Sequence, residues 1–143
     1  MIDERLGGIW DCLYRVAARA LIVRDGKVLL VQEKGEKYSF PGGGVDHGDG
    51  FSQTIIRKLS EEIDIEISHG QITKQPIFAC IGKVVSGIPR IHLYFRVDLG
   101  NAEPVVKELP FAWVTFNELE TLNLVGNIDA GGFLQNIIKE IAT

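Results

Sequence analysis

Two different periods of apolar and polar positions run along the chain. Val16 to Val23 and Val28 to Val31 are apolar and rich in β-formers, with Asp25-Gly26 between them. That dipeptide is the strongest short signal for a two-residue turn, so residues 15–32 predict a hairpin. Ala17, Ala18 and Ala20 are small, which predicts that something packs closely on the first strand. A polar loop, 33–37, leads to Ser39-Phe40-Pro41-Gly42-Gly43-Gly44. The period then changes. Over Phe51–Ile63, Ile55, Ile56, Leu59 and Ile63 recur at spacings of three, four and seven or eight, which predicts a helix with one apolar face. Asp49 or Ser52 would cap its start.

Further on, Ile65–Ile67 is a short β-prone run. Ile77–Val85 and Ile88–Leu99 predict two strands joined around Ser86-Gly87, and Phe111–Phe116 another. Thr115 or Asn117 would start a helical turn over Glu118-Leu119-Glu120. A last helix, about Gly132 to Ile141, carries Phe133, Leu134, Ile137, Ile138 and Ile141 on one stripe. Ile9 to Tyr14 could form an edge strand. The order of elements predicts one α+β domain over 1–143, a mixed β-sheet covered by helices.

Composition narrows the functional classes. With 15 basic and 19 acidic residues the net charge is −4, which argues against a general electrostatic nucleic-acid binder. No apolar run approaches the length of a membrane span. Met1 is followed by Ile2-Asp3-Glu4-Arg5, so no secretory signal is expected. Cys12 and Cys80 lie far apart and read as small buried hydrophobes, which points to a reducing, cytoplasmic setting.

The chemistry concentrates between Pro41 and Ile65: a glycine run, a loop with spaced acids, and a helix ending in adjacent acids. Consecutive glycines let backbone approach a ligand. Arg57 and Glu61 stand one turn apart and can pair. Glu61 and Glu62, together with a backbone carbonyl, suit a hard cation such as Mg²⁺, which takes oxygen ligands and serves phosphate chemistry. Taken singly, each feature also fits a solvated helix face or a plain loop.

Together they resemble the Nudix box, G-x5-E-x7-R-E-U-x-E-E-x-G-U, where U is bulky and aliphatic. Over residues 43–65, Gly43 matches the first position, Arg57 the arginine, Leu59 the first U, Glu61-Glu62 the acid pair and Ile65 the last U. Leu29-Leu30-Val31 and Trp113-Val114 with Glu118-Leu119 are similar to habitual family features, so the likeness covers roughly residues 15–120. It implies a Nudix-like mixed sheet sandwiched between helices. It also implies a metal-dependent hydrolase that cleaves a diphosphate linkage in a nucleotide or nucleoside diphosphate derivative. Mg²⁺ or Mn²⁺ would be held by Glu61, Glu62 and the Gly42 carbonyl, with Arg57 orienting the acid pair.

Three box positions depart. Asp49 replaces Glu, and Asp64 replaces Gly, which Asp tolerates because it can enter the left-handed conformation of a helix stop. Lys58 replaces the Glu after the arginine, reversing the charge there. Lys58 can reach Glu61 and Glu62 and compete with a cation, bind a substrate phosphate as a point charge, or turn away. Another carboxylate must then act as base. Glu108 lies near the place of the family's late-loop acid, and Asp46 and Asp49 are further candidates.

Substrate recognition is expected from Tyr38, Phe40 and Tyr94, which could stack a base, and from Lys34, Lys37, Arg90 and Lys58, which could meet phosphates. His47 could touch substrate, and His92 alternates in a strand that could face either way. No proline stands at the downstream spacing of the ADP-ribose hydrolases, Pro76 being too close to the box. The likeness also allows a homodimer, across which residues 1–14 could pair. The alternative is a catalytically impaired module that binds a nucleotide or a protein partner, or a domain that takes no ligand at all.

Overall fold

A computed structural model describes residues 13–33, 37–82, 87–122 and 141. The strands are β1 (Arg15–Leu21), β2 (Val23–Arg24), β3 (Lys27–Gln32), β4 (Tyr38–Ser39), β5 (Gly42–Gly44), β6 (Phe78–Gly82), β7 (Arg90–Arg96) and β8 (Phe111–Thr115). The helices are α1 (Phe51–Ile63) and α2 (Phe116–Thr121), with a 3-10 turn at His69–Gln71. One sheet runs β5-β1-β7-β6, with β1 and β7 parallel and the other pairs antiparallel. The second is antiparallel: β3 carries β2 and β4 along one edge and β8 on the other. The fold is α+β, with a mixed sheet as expected.

The predicted hairpin at residues 15–32 divides between the two sheets. Asp25 and Gly26 both have positive φ (52° and 72°), as the tight primed turn requires, but they join only β2 to β3. Between Leu21 and Val23 the chain leaves the mixed sheet, where β1 lies between β5 and β7. Ala17, Ala18, Ala20 and Leu21 are fully buried, and so are Val28 to Val31. Strands covered on both faces lose the period-two alternation that a half-exposed hairpin would show.

The two faces of these strands belong to two cores. Ala18, Ala20, Ile22, Leu29 and Val31 pack with Ile55, Leu59 and Ile63 of α1. Leu21, Val28 and Leu30 pack with Phe40, Tyr94, Val114 and Leu119 of α2 on the other side. Each fully buried aliphatic side chain of α1 contributes roughly 1.5–3 kcal/mol.

Helix α1 has the predicted bounds, but neither Asp49 nor Ser52 caps it. Gly50 is the N-cap, its carbonyl accepting from Thr54 Oγ1 at 3.1 Å. Asp64 ends the helix in the left-handed conformation (φ 57°), with the Ile65 N–H reaching back to the Leu59 carbonyl. Ile65–Ile67 is not a strand; Ile65 is buried against the first core as the hydrophobic stop of the helix. Strands β6 and β7 pair as predicted, while residues 83–86 of their turn lie outside the described residues. Thr115 caps α2 by accepting from the Glu118 N–H. Cys80, expected to be buried, is half-buried on β6. The proposed edge strand at 9–14 falls almost wholly outside the described residues, as does the last helix, apart from Ile141, which packs on the second core.

Candidate active site

The glycine run becomes β5, the edge strand beside β1. Gly42 lies opposite Arg19 and has φ +135°. A β-carbon there would stand 2.1 Å from the Ala18 carbonyl oxygen, so only glycine permits this approach. The close packing predicted from the alanines comes from α1, whose Ile55, Leu59 and Ile63 share a core with Ala18 and Ala20. The Gly42 N–H is hydrogen-bonded to the carboxylate of Glu62 near the end of α1.

Glu62 is 6% exposed, and its Oε1 has no hydrogen-bond partner. Burial is the main force raising its carboxyl to about 7, and the like charge of Glu33 adds to it. The Gly42 N–H, Lys58 and Arg19 oppose the rise. Its neighbour Glu61 is half-buried, with Oε2 4.0 Å from Lys58 Nζ. The lysine therefore turns toward the acid pair. Its stem lies along the glycine run, where a β-carbon on Gly43 would come within 2.9 Å of Lys58 Cε.

Arg57 does not take Glu61, the partner its helical spacing offers. Its guanidinium faces Asp46 (3.7 Å) and Asp49 (3.9 Å) on the preceding loop. Those acids come back over the helix through the loop at 45–50, which a one-turn rule cannot anticipate. Glu108 is exposed, and its backbone N–H donates to the Glu62 carbonyl at 3.1 Å. The late loop is thus tied to the end of α1 next to the acid pair.

On the other face of the mixed sheet lies a charged group that sequence reasoning did not single out. Arg19 is 5% exposed. Its Nη1 donates to the Phe40 carbonyl at 3.2 Å and its Nε to His92 Nδ1 at 3.5 Å. Burial lowers Arg19 from the ordinary arginine range. Burial, then the charges of Arg19 and Arg90, pushes His92 down to about 4, so it is a neutral acceptor near pH 7. Glu33 was missed as well: its Oε1 accepts from Ser39 Oγ at 3.0 Å, and its charge acts on both Arg19 and Glu62. An arginine inside the Ala-rich run of β1 was the available signal, because a buried cation requires partners.

Two expected substrate contacts are corrected. Phe40 is fully buried and meets Tyr94 edge-on at 5.4 Å, so both rings are core and neither can stack a base. Tyr38 is half-buried against the second core. His92 faces inward beside Arg19, and half-buried Arg90 stands near that pair instead of the acid pair. Lys34 lies outside the described residues, and Lys37 and His47 are exposed. A cavity of about 970 Å³ opens at the other end of α1, lined by Val16, Val45, Phe51, Ile91, Leu93 and the 46–49 loop. It is about 15 Å along the helix from Glu61, given a rise of about 1.5 Å per residue.

A family model described as the NUDIX domain matches residues 13–137. The chain belongs to the Nudix family. A CTP pyrophosphohydrolase of Escherichia coli K12 is 37% identical over an alignment of 57 residues, and the match covers 36% of this chain and 42% of that protein. The match therefore spans well under half of that relative. The solution structure of the E. coli ORF135 protein is similar over 90% of both chains, with a TM-score of 0.70 at 22% identity. The E. coli dihydroneopterin triphosphate pyrophosphohydrolase is similar over 91% of this chain and 97% of its own, with a TM-score of 0.67 at 16% identity. These structures share the Nudix fold.

Nudix hydrolases generally use divalent cations. The donor set here fits one: Glu62 offers a buried carboxylate oxygen without a partner, beside Glu61 and the backbone of Gly42. Among the described residues, no three His, Cys, Asp or Glu side chains stand close enough to form a ready cage. That arrangement suits a cation that keeps several of its waters. No helix of the described residues is long and apolar enough to cross a membrane.

Proposed function

We propose that this Nudix protein hydrolyses a diphosphate linkage in a nucleotide or nucleoside diphosphate derivative, using Mg²⁺ or Mn²⁺ bound by Glu61, Glu62 and the Gly42 carbonyl. The observation that carries this reading is the orphaned Oε1 of Glu62, a buried carboxylate oxygen with no hydrogen-bond partner among the described residues. When bound, the cation neutralises phosphoryl oxygens and activates water. The Gly42 N–H fixes the Glu62 carboxylate. Arg57 acts as a positioning residue by holding the 46–49 loop on the helix. Lys58, tethered along Gly43, supplies a positive charge to a substrate phosphate. Glu108, on the loop anchored at the Glu62 carbonyl, is the candidate base. Tyr38 and Arg90 remain candidates for the substrate's outer parts, and Phe40 is withdrawn.

The partial likeness to a CTP pyrophosphohydrolase makes CTP the first nucleotide to try. The test uses a panel of nucleoside triphosphates and nucleoside diphosphate derivatives with Mg²⁺ or Mn²⁺, and reads phosphate released by pyrophosphatase from the diphosphate product of the former and by alkaline phosphatase from the monophosphate products of the latter. The expected result is turnover in wild type and its loss in Glu62→Gln; equal rates would refute the assignment. A second reading, a binding module without turnover, is favoured by the Lys58 ammonium at 4.0 Å from Glu61. It predicts nucleotide-induced thermal stabilisation without hydrolysis, and turnover gained by Lys58→Glu.

A further inference from the structure

We propose that Lys107 is a positioning residue: together with Asp64 it straps the late loop across the C-terminus of α1 and so fixes the place of Glu108 next to Glu62. The inference rests on the reading of Glu108 as the base of the proposed hydrolysis. A helix leaves its last four carbonyls without partners of its own. In α1, which ends at Ile63, the late loop takes three of these four. Ser60 accepts from Lys107 Nζ at 3.3 Å. Glu62 accepts from the N–H groups of Glu108 (3.1 Å) and Leu109 (3.2 Å), and Ile63 from the Val105 N–H at 2.8 Å. The loop thus does the work of a helix cap, and the turn that carries Glu61 and Glu62 is its template.

Burial does not hold this loop. Residues 105–108 are all exposed, between buried Pro104 and half-buried Leu109, which packs on the first core. Val105 and Val106, 55% and 59% exposed, leave their apolar side chains in solvent. The side-chain tie to the helix in this span is that of Lys107, whose ammonium also lies 3.9 Å from Asp64 Oδ1. These contacts give a reason for two features of the sequence. Helix α1 has no basic residue in its last turn, and Lys107 brings a positive charge to a helix end that favours one. Asp64 stands where the box has glycine, which adopts the left-handed conformation at less cost, and its carboxylate gives Lys107 a second partner. Both side chains are 53% exposed, so the pair adds little to stability. What it restrains is its neighbour: Glu108 is held by its own N–H and by the side chain of the residue before it.

The test compares wild type, Lys107→Met, Lys107→Arg and Asp64→Asn on a nucleotide that wild type hydrolyses. It reads kcat, KM, melting temperature and amide hydrogen exchange of residues 105–109. Lys107→Met keeps the stem and removes the charge, and Asn at 64 keeps a residue that enters the left-handed conformation. For Lys107→Met the expected result is a fall in kcat on the order of tenfold at a KM within about twofold of wild type, because a displaced base costs the transition state and not substrate binding. Asp64→Asn should lower kcat by a smaller factor. Lys107→Arg should keep kcat near wild type, since a guanidinium can serve both partners. Melting temperatures should stay within about 2 °C of wild type, while the Glu108 and Leu109 amides of Lys107→Met exchange faster. Unchanged kcat in Lys107→Met overturns the inference even if the loop exchanges faster. A fall in kcat with exchange at 105–109 unchanged overturns it too, because Lys107 then acts otherwise than by fixing the loop. Wild type that hydrolyses no nucleotide overturns the proposed function and this inference together. Wild type that hydrolyses one indifferently to Lys107 overturns this inference alone.

Discussion

The two ends of α1 hold their charges in opposite ways. At its entry, the loop acids Asp46 and Asp49 share Arg57, which reaches back from the middle of the helix at 3.7 and 3.9 Å, and Asp46 is 68% exposed. Such pairs are solvated, screened by salt and worth little to stability. Near its end, Glu62 is withdrawn from water against the glycine run, with one oxygen unsatisfied. The acids at the start are settled by solvent and by an arginine. The acid near the end is not settled by the protein alone, and that is what a binding site for a cation requires. The cavity sits at the settled end and the proposed cation site near the unsettled one.

Gly42 is where this contrast breaks most completely. Gly42→Ala places a β-carbon 2.1 Å from the Ala18 oxygen at a φ of +135°, so β5 must leave β1. The expected outcome is a fall in melting temperature of more than about 10 °C, given about 2–4 °C per kcal/mol for a chain of this size. A melting curve within 2–3 °C of wild type would show that β5 tolerates the shift.

Glu62→Gln comes next and separates stability from chemistry. It should keep the fold and lower turnover on the order of 100-fold, the scale of losing one electrostatic group at a reacting phosphate. Initial rates beside melting curves check both. Because the substituted side chain is buried and uncharged, its melting temperature at pH 8 should be no lower than wild type's.

The two faces of the mixed sheet can be compared by pH. The Glu62 carboxyl, at about 7 folded against 4.5 as a free side chain, holds its proton more tightly in the fold. Its contribution to stability therefore falls as pH rises from about 4.5 through 7. His92, at about 4 folded against 6.5, holds its proton less tightly, and its contribution rises from about pH 4 to 6.5. The effects oppose each other over most of this range, and above 6.5 only the fall from Glu62 remains. Melting temperatures from pH 4 to 8 should show His92→Gln losing the rising limb and Glu62→Gln losing the falling one. Parallel profiles for wild type and both variants would contradict the assignment of these groups.

Asp46→Asn should do least. One exposed partner of Arg57 is lost while Asp49 remains, so stability should change by less than about 0.5 kcal/mol. A larger loss by chemical denaturation would mean that the two ends of α1 are more alike than their exposure indicates.

Much of this was legible in the sequence, and the failures share a cause. Helix α1 was readable because Ile55, Leu59 and Ile63 face one core with a helical period. The Asp25-Gly26 turn was readable because positive φ at consecutive residues is a local demand. The split of the hairpin between two sheets was hidden because β1 and β3 are buried on both faces, which erases alternation. In the candidate site, the order of glycines and acids was visible, as was the reach of Lys58 to Glu61. The partners of Arg57 and of Arg19 were not, because they depend on a loop folding back and on segments distant in sequence lying side by side. Phe40 misled because an aromatic beside a glycine run looks like a ligand platform, when the strand turns its ring into the second core.

The contact between Gly43 and Lys58 offers a mechanical handle on an electrostatic question. Unlike Gly42, Gly43 has a backbone conformation open to any side chain, and what a methyl group there would strike is the far part of a flexible lysine. Gly43→Ala would therefore lever the ammonium off its perch without altering a single charge. Position 43 thus acts as a fulcrum for position 58, and a designer could tune how far a built-in cation intrudes on the acid pair one methyl group at a time.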